Sequence, residues 1–164
     1  MLTNPQYNGK MDFYKSVSCL ESSNQSIYLG GALTNYQSTI SFNGTSTLQR
    51  NMARRGGALL ATESFIYVYG QMAIASNVAL DDGGGAYVYQ SYVTVANSNC
   101  VFADNQAHND GGGIHAISSI LTITIDTDRH KSQPTQLHFI NNLARQGGGG
   151  GLYLKANSKL YVIK

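Results

Sequence analysis

The stretch NVALDDGGGAYVYQSYVTV (77–95) is followed, 28 residues on, by NQAHNDGGGIHAISSILTI (105–123). Each opens on Asn, places a small residue two positions later (Ala79, Ala107) and passes through Asp and three glycines. Each then closes on a Ser that leads an alternating apolar pair, Ser91-Val93-Val95 and Ser119-Leu121-Ile123. Alternation with period two belongs to a strand, whose successive side chains face opposite sides of a sheet. A strand that returns in the same sequence context after roughly 27 residues is one turn of a solenoid.

The same frame extends in both directions. Gly-Gly pairs stand at 30–31, 56–57, 84–85, 112–113 and 150–151, separated by 26, 28, 28 and 38 residues. An Asn precedes each pair (Asn24, Asn51, Asn77, Asn105, Asn142), with Ser26, Ala53, Ala79, Ala107 or Ala144 two places later. Leu48, Ile74, Phe102 and Phe139 stand three residues before the last four of these Asn. The alternating runs Ser38-Ile40-Phe42, Ser64-Ile66-Val68 and Ser158-Leu160-Val162 complete the set. On this alignment Gly57, Gly85, Gly113 and Gly151 are equivalent corner positions, needed for positive φ or close backbone approach. Asn51, Asn77, Asn105 and Asn142 form a structural column. Their amides either stack, each donating to the next, or serve as turn formers that tolerate the left-handed region.

The pattern predicts an all-β chain, a right-handed parallel β-helix of about five rungs that fills 1–164 as a single domain. Handedness follows from the bias of parallel crossovers and not from any residue. Residues 1–19 form an ill-defined first rung, and 126–136 are a loop insertion that accounts for the long last interval. A leucine-rich horseshoe is excluded by the missing leucine pattern, and a propeller by the shortness of the unit.

Composition agrees. Charged residues are 12% of the chain, against about 25% in an average soluble domain, while 18 Gly and 11 Tyr suit an all-β solenoid. A net charge of +2 argues against nucleic acid and anionic membrane as partners, and no apolar run is long enough for a membrane-spanning helix. Met1 to Lys10 lack the apolar stretch of a secretory leader, and the last strand ends without a polar cap. The expectation is a fragment of a longer coil, with further rungs missing.

Gly-Gly-Ala-Leu (30–33 and 56–59) and Phe-x-x-Asn (Phe102 to Asn105, Phe139 to Asn142) resemble the repeats of the chlamydial polymorphic outer membrane proteins. The resemblance covers roughly residues 20–164 and implies a β-helical passenger on a cell surface, commonly acting in adhesion. The later repeats depart from it with Gly-Gly-Ala-Tyr, Gly-Gly-Ile-His and Gly-Gly-Leu-Tyr, and neither a translocator barrel nor a leader accompanies them.

The outward strand face supplies the binding candidates. Where Ile66 and Val68 point inward, Phe65, Tyr67 and Tyr69 point outward, and Tyr92 and Ile120 continue the Phe65 column on the next two rungs. Such an apolar stripe marks a contact surface for a partner, or packs beneath another segment of the same protein. The insertion offers Asp126, Asp128, Arg129, His130 and Lys131 as a projecting site, against the plainer reading of a tolerated surface loop. Asp82 and Asp110 precede their glycine triplets, with Asp81 adjacent, so two carboxylates stand about one rung apart as a candidate for a metal. Their ligand count is short of what calcium takes, and Arg55 one rung earlier and Gln146 one rung later break the column, so no metal is expected. His108, His115, His130 and His138 make no ligand pattern, and no Ser or Cys stands beside one in a catalytic arrangement. Cys19 and Cys100 occupy equivalent positions three rungs apart, roughly 14 Å, beyond disulfide reach; both are expected free and partly buried. Of two sequons, Asn43-Gly-Thr45 is expected open to glycosylation and Asn24-Gln-Ser26 partly buried.

These readings favour a non-catalytic, extracellular or cell-surface scaffold that binds a cell-surface protein or glycan without a cofactor. The alternative is a polysaccharide lyase or glycoside hydrolase of the pectate-lyase-like β-helix type. It requires carboxylates among Asp82, Asp104, Asp110, Asp126 and Asp128 to converge in a groove. A purely structural spacer is the third reading.

Overall fold

The computed structural model describes residues 2–3, 10–13, 25–26, 30–125 and 134–163, with side chains from residue 30 onward. Cys19, Asn24 and the insertion residues Asp126, Asp128, Arg129, His130 and Lys131 lie outside the described residues. One coil runs through the strands Leu59–Thr62, Phe65–Val68, Met72–Ala75 and Val78–Ala79. Each strand pairs in parallel with its counterparts on the coils before and after, which stacks the strands into four parallel sheets of six, six, four and five strands among the described residues. Sheet 1 contains Leu59–Thr62, sheet 2 Phe65–Val68, sheet 3 Met72–Ala75 and sheet 4 Val78–Ala79. This is a parallel β-helix, as the repeat requires.

The alternation sorts side chains as expected. Ile40, Ile66, Val68, Val95 and Leu121 of sheet 2 meet Leu48, Ile74 and Phe102 of sheet 3 and Leu33, Leu59, Val88 and Ile114 of sheet 1 inside the coil. Each such side chain removed from water contributes roughly 1.5–3 kcal/mol, and this apolar column offsets the cost of ordering the chain. Phe102 and Phe139 stack across adjacent coils with ring centroids 5.4 Å apart. In the coil that ends at Ile163 the same inward columns are open: Leu160 and Val162 are 40% and 60% exposed where Leu121 is 3%.

The corners turn by two devices. In the first, a non-glycine residue takes positive φ directly before a polar residue that caps the turn. Arg50, Ser76, Asp104 and Asn141 (φ 56°, 55°, 53° and 51°) precede Asn51, Asn77, Asn105 and Asn142. Gln37, Glu63, Gln90, Ser118 and Asn157 precede Ser38, Ser64, Ser91, Ser119 and Ser158. The left-handed residue is therefore the one before the repeat Asn, and the Asn itself is the hydrogen-bonding partner. The second device is glycine. Gly56, Gly83, Gly111 and Gly149 carry φ of 61–69°, and the glycine after each of the first three faces a carbonyl of the next coil.

The glycine register differs by one from the pairs counted in the sequence. Leu59 pairs with Ala86, Ile114 and Leu152 in turn, so Gly57 is equivalent to Gly84, Gly112 and Gly150 and not to Gly85, Gly113 and Gly151. A run of three or more glycines can be paired from either end, and only the strand register chooses. Gly85 and Gly113 take the place of Ala58 because a Cβ there would stand 2.7 and 2.3 Å from the carbonyl oxygens of Gly113 and Gly151, and 2.9 Å from the rings of Phe102 and Phe139.

The expected insertion also ends earlier than 136. Thr135 is buried, its Oγ1 accepts the Asn97 N–H at 2.8 Å, and Gln136 already opens the strand Gln136–Ile140 opposite Asn99.

Candidate functional site

Sheet 2 carries the aromatic stripe on its outer face. Phe65 pairs with Tyr92 and Tyr92 with Ile120 in the parallel register. The Phe65 and Tyr92 rings lie face to face, centroids 5.1 Å apart and planes 9° from parallel, and stay 45% and 48% exposed. The neighbouring pair Tyr67 and Tyr69 stacks at 5.8 Å with planes 5° apart. Tyr69 is exposed, whereas Tyr67 and Ile120 are half-buried, flanked along the sheet by Thr94 and by Tyr92 and Lys159 respectively. Rung spacing fixes the Phe65–Tyr92 separation, because strands about 4.8 Å apart hold equivalent side chains at stacking distance, whereas Tyr67 and Tyr69 are two residues apart on one coil. Next to Tyr92 the corner between sheets 1 and 2 forms a shallow groove whose wall includes Gln90, Ser118, Ile120, Asn157 and Lys159. No carboxylate lines it.

The Asn column is a continuous ladder. The Oδ1 of Asn77 accepts both the backbone N–H of Asn51 (2.9 Å) and its side-chain Nδ2–H (3.0 Å). Asn105 does the same for Asn77, and Asn142 for Asn105. The second amide proton goes to a main-chain carbonyl, Leu48 for Asn77 and Ile74 for Asn105. Every donor and acceptor of the inner amides is used, as burial demands.

A parallel serine ladder was not legible as such in the sequence. The backbone N–H of Ser64, Ser91 and Ser119 each donates to the Oγ of the Ser one coil on, at 2.9–3.1 Å. Each Oγ in turn donates to the carbonyl two residues before it in Ser64, Ser91 and Ser119. The signal was present as a Ser at the head of each alternating run.

The glycine corner between sheets 4 and 1 gathers the charges. Arg54 Nε is 2.8 Å from Asp81 Oδ2, while Arg55 Nε lies 3.9 Å from both Asp81 and Asp82. The Arg55–Asp82 contact is thus looser than the Arg54–Asp81 one. Asp82 Oδ1 accepts the Asp110 backbone N–H at 3.2 Å, and Asp110 Oδ1 accepts the Gly148 N–H at 2.7 Å. Gly148 therefore meets Asp110, in place of the expected Gln146.

His115 joins this corner, a neighbour that the sequence reading did not give Asp82 and Asp110. It points outward from sheet 1 and yet is 2% exposed. Its ring sits edge-on between Tyr87 and Tyr153, at centroid distances of 5.4 and 5.1 Å. The guanidinium of Arg55 covers the far side of Tyr87 at 5.3 Å. Nε2 has no hydrogen-bond partner, and Nδ1 has only a long, weak approach to Asp82 Oδ1 at 3.5 Å. An unsatisfied buried group of this kind costs about 1–3 kcal/mol. Burial lowers the His115 pKa below its ordinary value, against the opposing pull of Asp82 and Asp110. Ligand atoms of Asp82, Asp110 and His115 all lie within 4.8 Å of one another. The sequence hid this because His115 lies in a strand five residues beyond Asp110, and only the fold-back of the glycine corner brings them together.

The remaining candidates are separate. Asp104 is exposed at a different corner. Cys100 is a free thiol, fully buried and not partly so, and burial pushes its pKa up to about 12. Asn43 is half-buried, less open than expected of a glycan acceptor.

Residues 99–117 match the family model of the Chlamydia polymorphic membrane protein (Chlamydia_PMP) repeat. The matched segment contains the Phe102-to-Asn105 motif that carried the resemblance, together with Asp110, the glycine triplet and His115. No curated protein and no solved structure matches the chain.

Proposed function

From a coil that carries a polymorphic membrane protein repeat, we propose a non-catalytic scaffold at the cell surface that binds a surface glycan or protein through the outer face of sheet 2. The observation that carries this reading is the exposed, stacked Phe65–Tyr92 pair beside the Gln90–Lys159 groove. Flat rings held in register present apolar faces at little entropic cost, and the groove adds amides and an ammonium for hydrogen bonding. The repeat family is one of membrane proteins, which supports a bacterial surface address. A lyase or hydrolase would need carboxylates or a base aimed into this groove, and its chemistry is instead stacking and hydrogen bonding.

The test is attachment of the purified chain to intact cells and to a glycan array, with and without the double substitution Phe65→Ser and Tyr92→Ser. Loss of attachment with an unchanged circular dichroism spectrum is the expected result. Undiminished attachment by the folded double variant overturns the proposal.

A further inference from the structure

We propose that Asp82, Asp110 and His115 form a binding site for one divalent transition-metal ion, with zinc-like preference, that clips two successive coils together at the glycine corner. Three independent features converge. Two carboxylates from adjacent coils sit with their ligand oxygens within 4.8 Å of a histidine nitrogen. That histidine is 2% exposed, its Nε2 has no partner and its Nδ1 has only the long approach to Asp82, whereas the buried Asn and Ser columns satisfy their polar atoms by ladders. The corner around it is already built to hold the carboxylates, since the Asp110 and Gly148 backbone N–H groups fix one oxygen of each.

The chemistry of the donors selects the ion. Ions bound by imidazole and carboxylate at about 2.0–2.2 Å in a tetrahedron need donors roughly 3.4 Å apart. The His115 Nδ1 to Asp82 Oδ1 distance is 3.5 Å, and Asp110 keeps a second oxygen free of the Gly148 contact to close the set. Calcium and magnesium prefer all-oxygen shells and more ligands, so a buried imidazole disfavours both. Two carboxylates balance a dication, and the Arg55 side chain, 47% exposed and 3.9 Å from Asp82 Oδ2, is free to swing toward solvent as the ion enters. Tyr87 and Tyr153 hold the imidazole plane on both sides, the orientation that a ligand histidine usually obtains from a hydrogen bond. A fourth position is left for water. Because Asp82 lies one coil before Asp110 and His115, the ion stabilises the stack in the manner of a cross-link.

The experiment is equilibrium dialysis and calorimetric titration of the 164-residue chain, stripped with a chelator, against zinc, cobalt(II), manganese(II) and calcium chlorides. Expected are one zinc or cobalt ion per chain, a raised thermal midpoint, and affinity reduced at least tenfold in His115→Gln and in Asp110→Asn. Removing a direct ligand should cost no less than the roughly 10–100-fold lost on removing an outer-shell partner. His108→Gln, at an exposed position, leaves binding intact. If a variant does not fold, the ring nitrogen resonances of His115 in the unsubstituted chain decide, moving on zinc addition only when the imidazole binds. No stoichiometric binding by any transition ion, equal binding by the His115→Gln and Asp110→Asn variants, loss with His108→Gln, or a preference for calcium each overturns the proposal.

Discussion

Asn105 Oδ1 receives two hydrogen bonds from Asn77, the side-chain N–H at 2.9 Å and the backbone N–H at 3.1 Å, while its own Nδ2 reaches back to the carbonyl of Ile74 at 2.8 Å. Both residues are fully buried. One side chain therefore satisfies polar groups on two coils at once, and its loss strands all of them. Asn105→Ala should lower the unfolding free energy by about 3 kcal/mol or more, because several buried groups each lose a partner at roughly 1–3 kcal/mol. Asn105→Asp should be at least as damaging, since a carboxylate cannot donate to Asn142 or Ile74 and brings a charge into the core. Denaturant titration of both variants checks this; a change under ~1 kcal/mol for either would show that water replaces the ladder.

The stripe and the core on the same strand should part company. Tyr92→Ser removes a ring that is 48% exposed and should cost below about 1 kcal/mol. Ile66→Ala removes a side chain that is 2% exposed and should cost about 2–5 kcal/mol. Thermal unfolding of the two variants measures the contrast. Comparable losses would mean that the Tyr92 ring is covered in solution.

Cys100 makes stability depend on alkaline pH. Burial holds its folded pKa at about 12, against 9.0 as its ordinary value. The sign follows from proton counting: above pH 9 the unfolded chain releases the thiol proton and the folded chain keeps it, so the unfolded state is favoured as pH rises. This contribution is constant below pH 9 and falls away between 9 and 12. Denaturation midpoints measured across that window should decline less steeply for Cys100→Ala than for the parent. The same burial predicts no labelling of Cys100 by a thiol reagent until denaturant is added.

Gly112 and Gly148 should respond unequally to alanine. A Cβ at Gly112 would stand 2.5 Å from the carbonyl oxygen of Gly150 and 2.6 Å from the backbone of Leu143, so two coils must separate. At Gly148 the nearest atoms are ring carbons of Tyr153 at 3.1 and 3.4 Å, which a side-chain adjustment relieves. Gly112→Ala should destabilise by well over ~1 kcal/mol, and Gly148→Ala by less than that. The melting temperatures of the two variants decide it, and a neutral Gly112→Ala would disprove the close approach.

Local pattern was enough to identify the coil. Alternation assigns a face to each residue, and the return of Asn, Ser and an apolar triplet at near-constant spacing puts like residues in one column. Hence Ile66 and Val95 were legible as core and Phe65 and Tyr92 as a surface column. Those properties depend on period and spacing alone. The glycine frame was not legible, because a run such as Gly83-Gly84-Gly85 carries no side chain to phase it; backbone pairing between coils chose Gly57 with Gly84. Nor was the residue that bears positive φ, which is Asp104 and not Asn105, since either type tolerates that conformation and only the direction of the ladder separates them. His115 shows the same limit most sharply. Its burial, its unpartnered Nε2 and its approach to Asp82 and Asp110 come from how far one corner folds over the outer face of sheet 1, a distance in space that residue spacing along the chain does not encode.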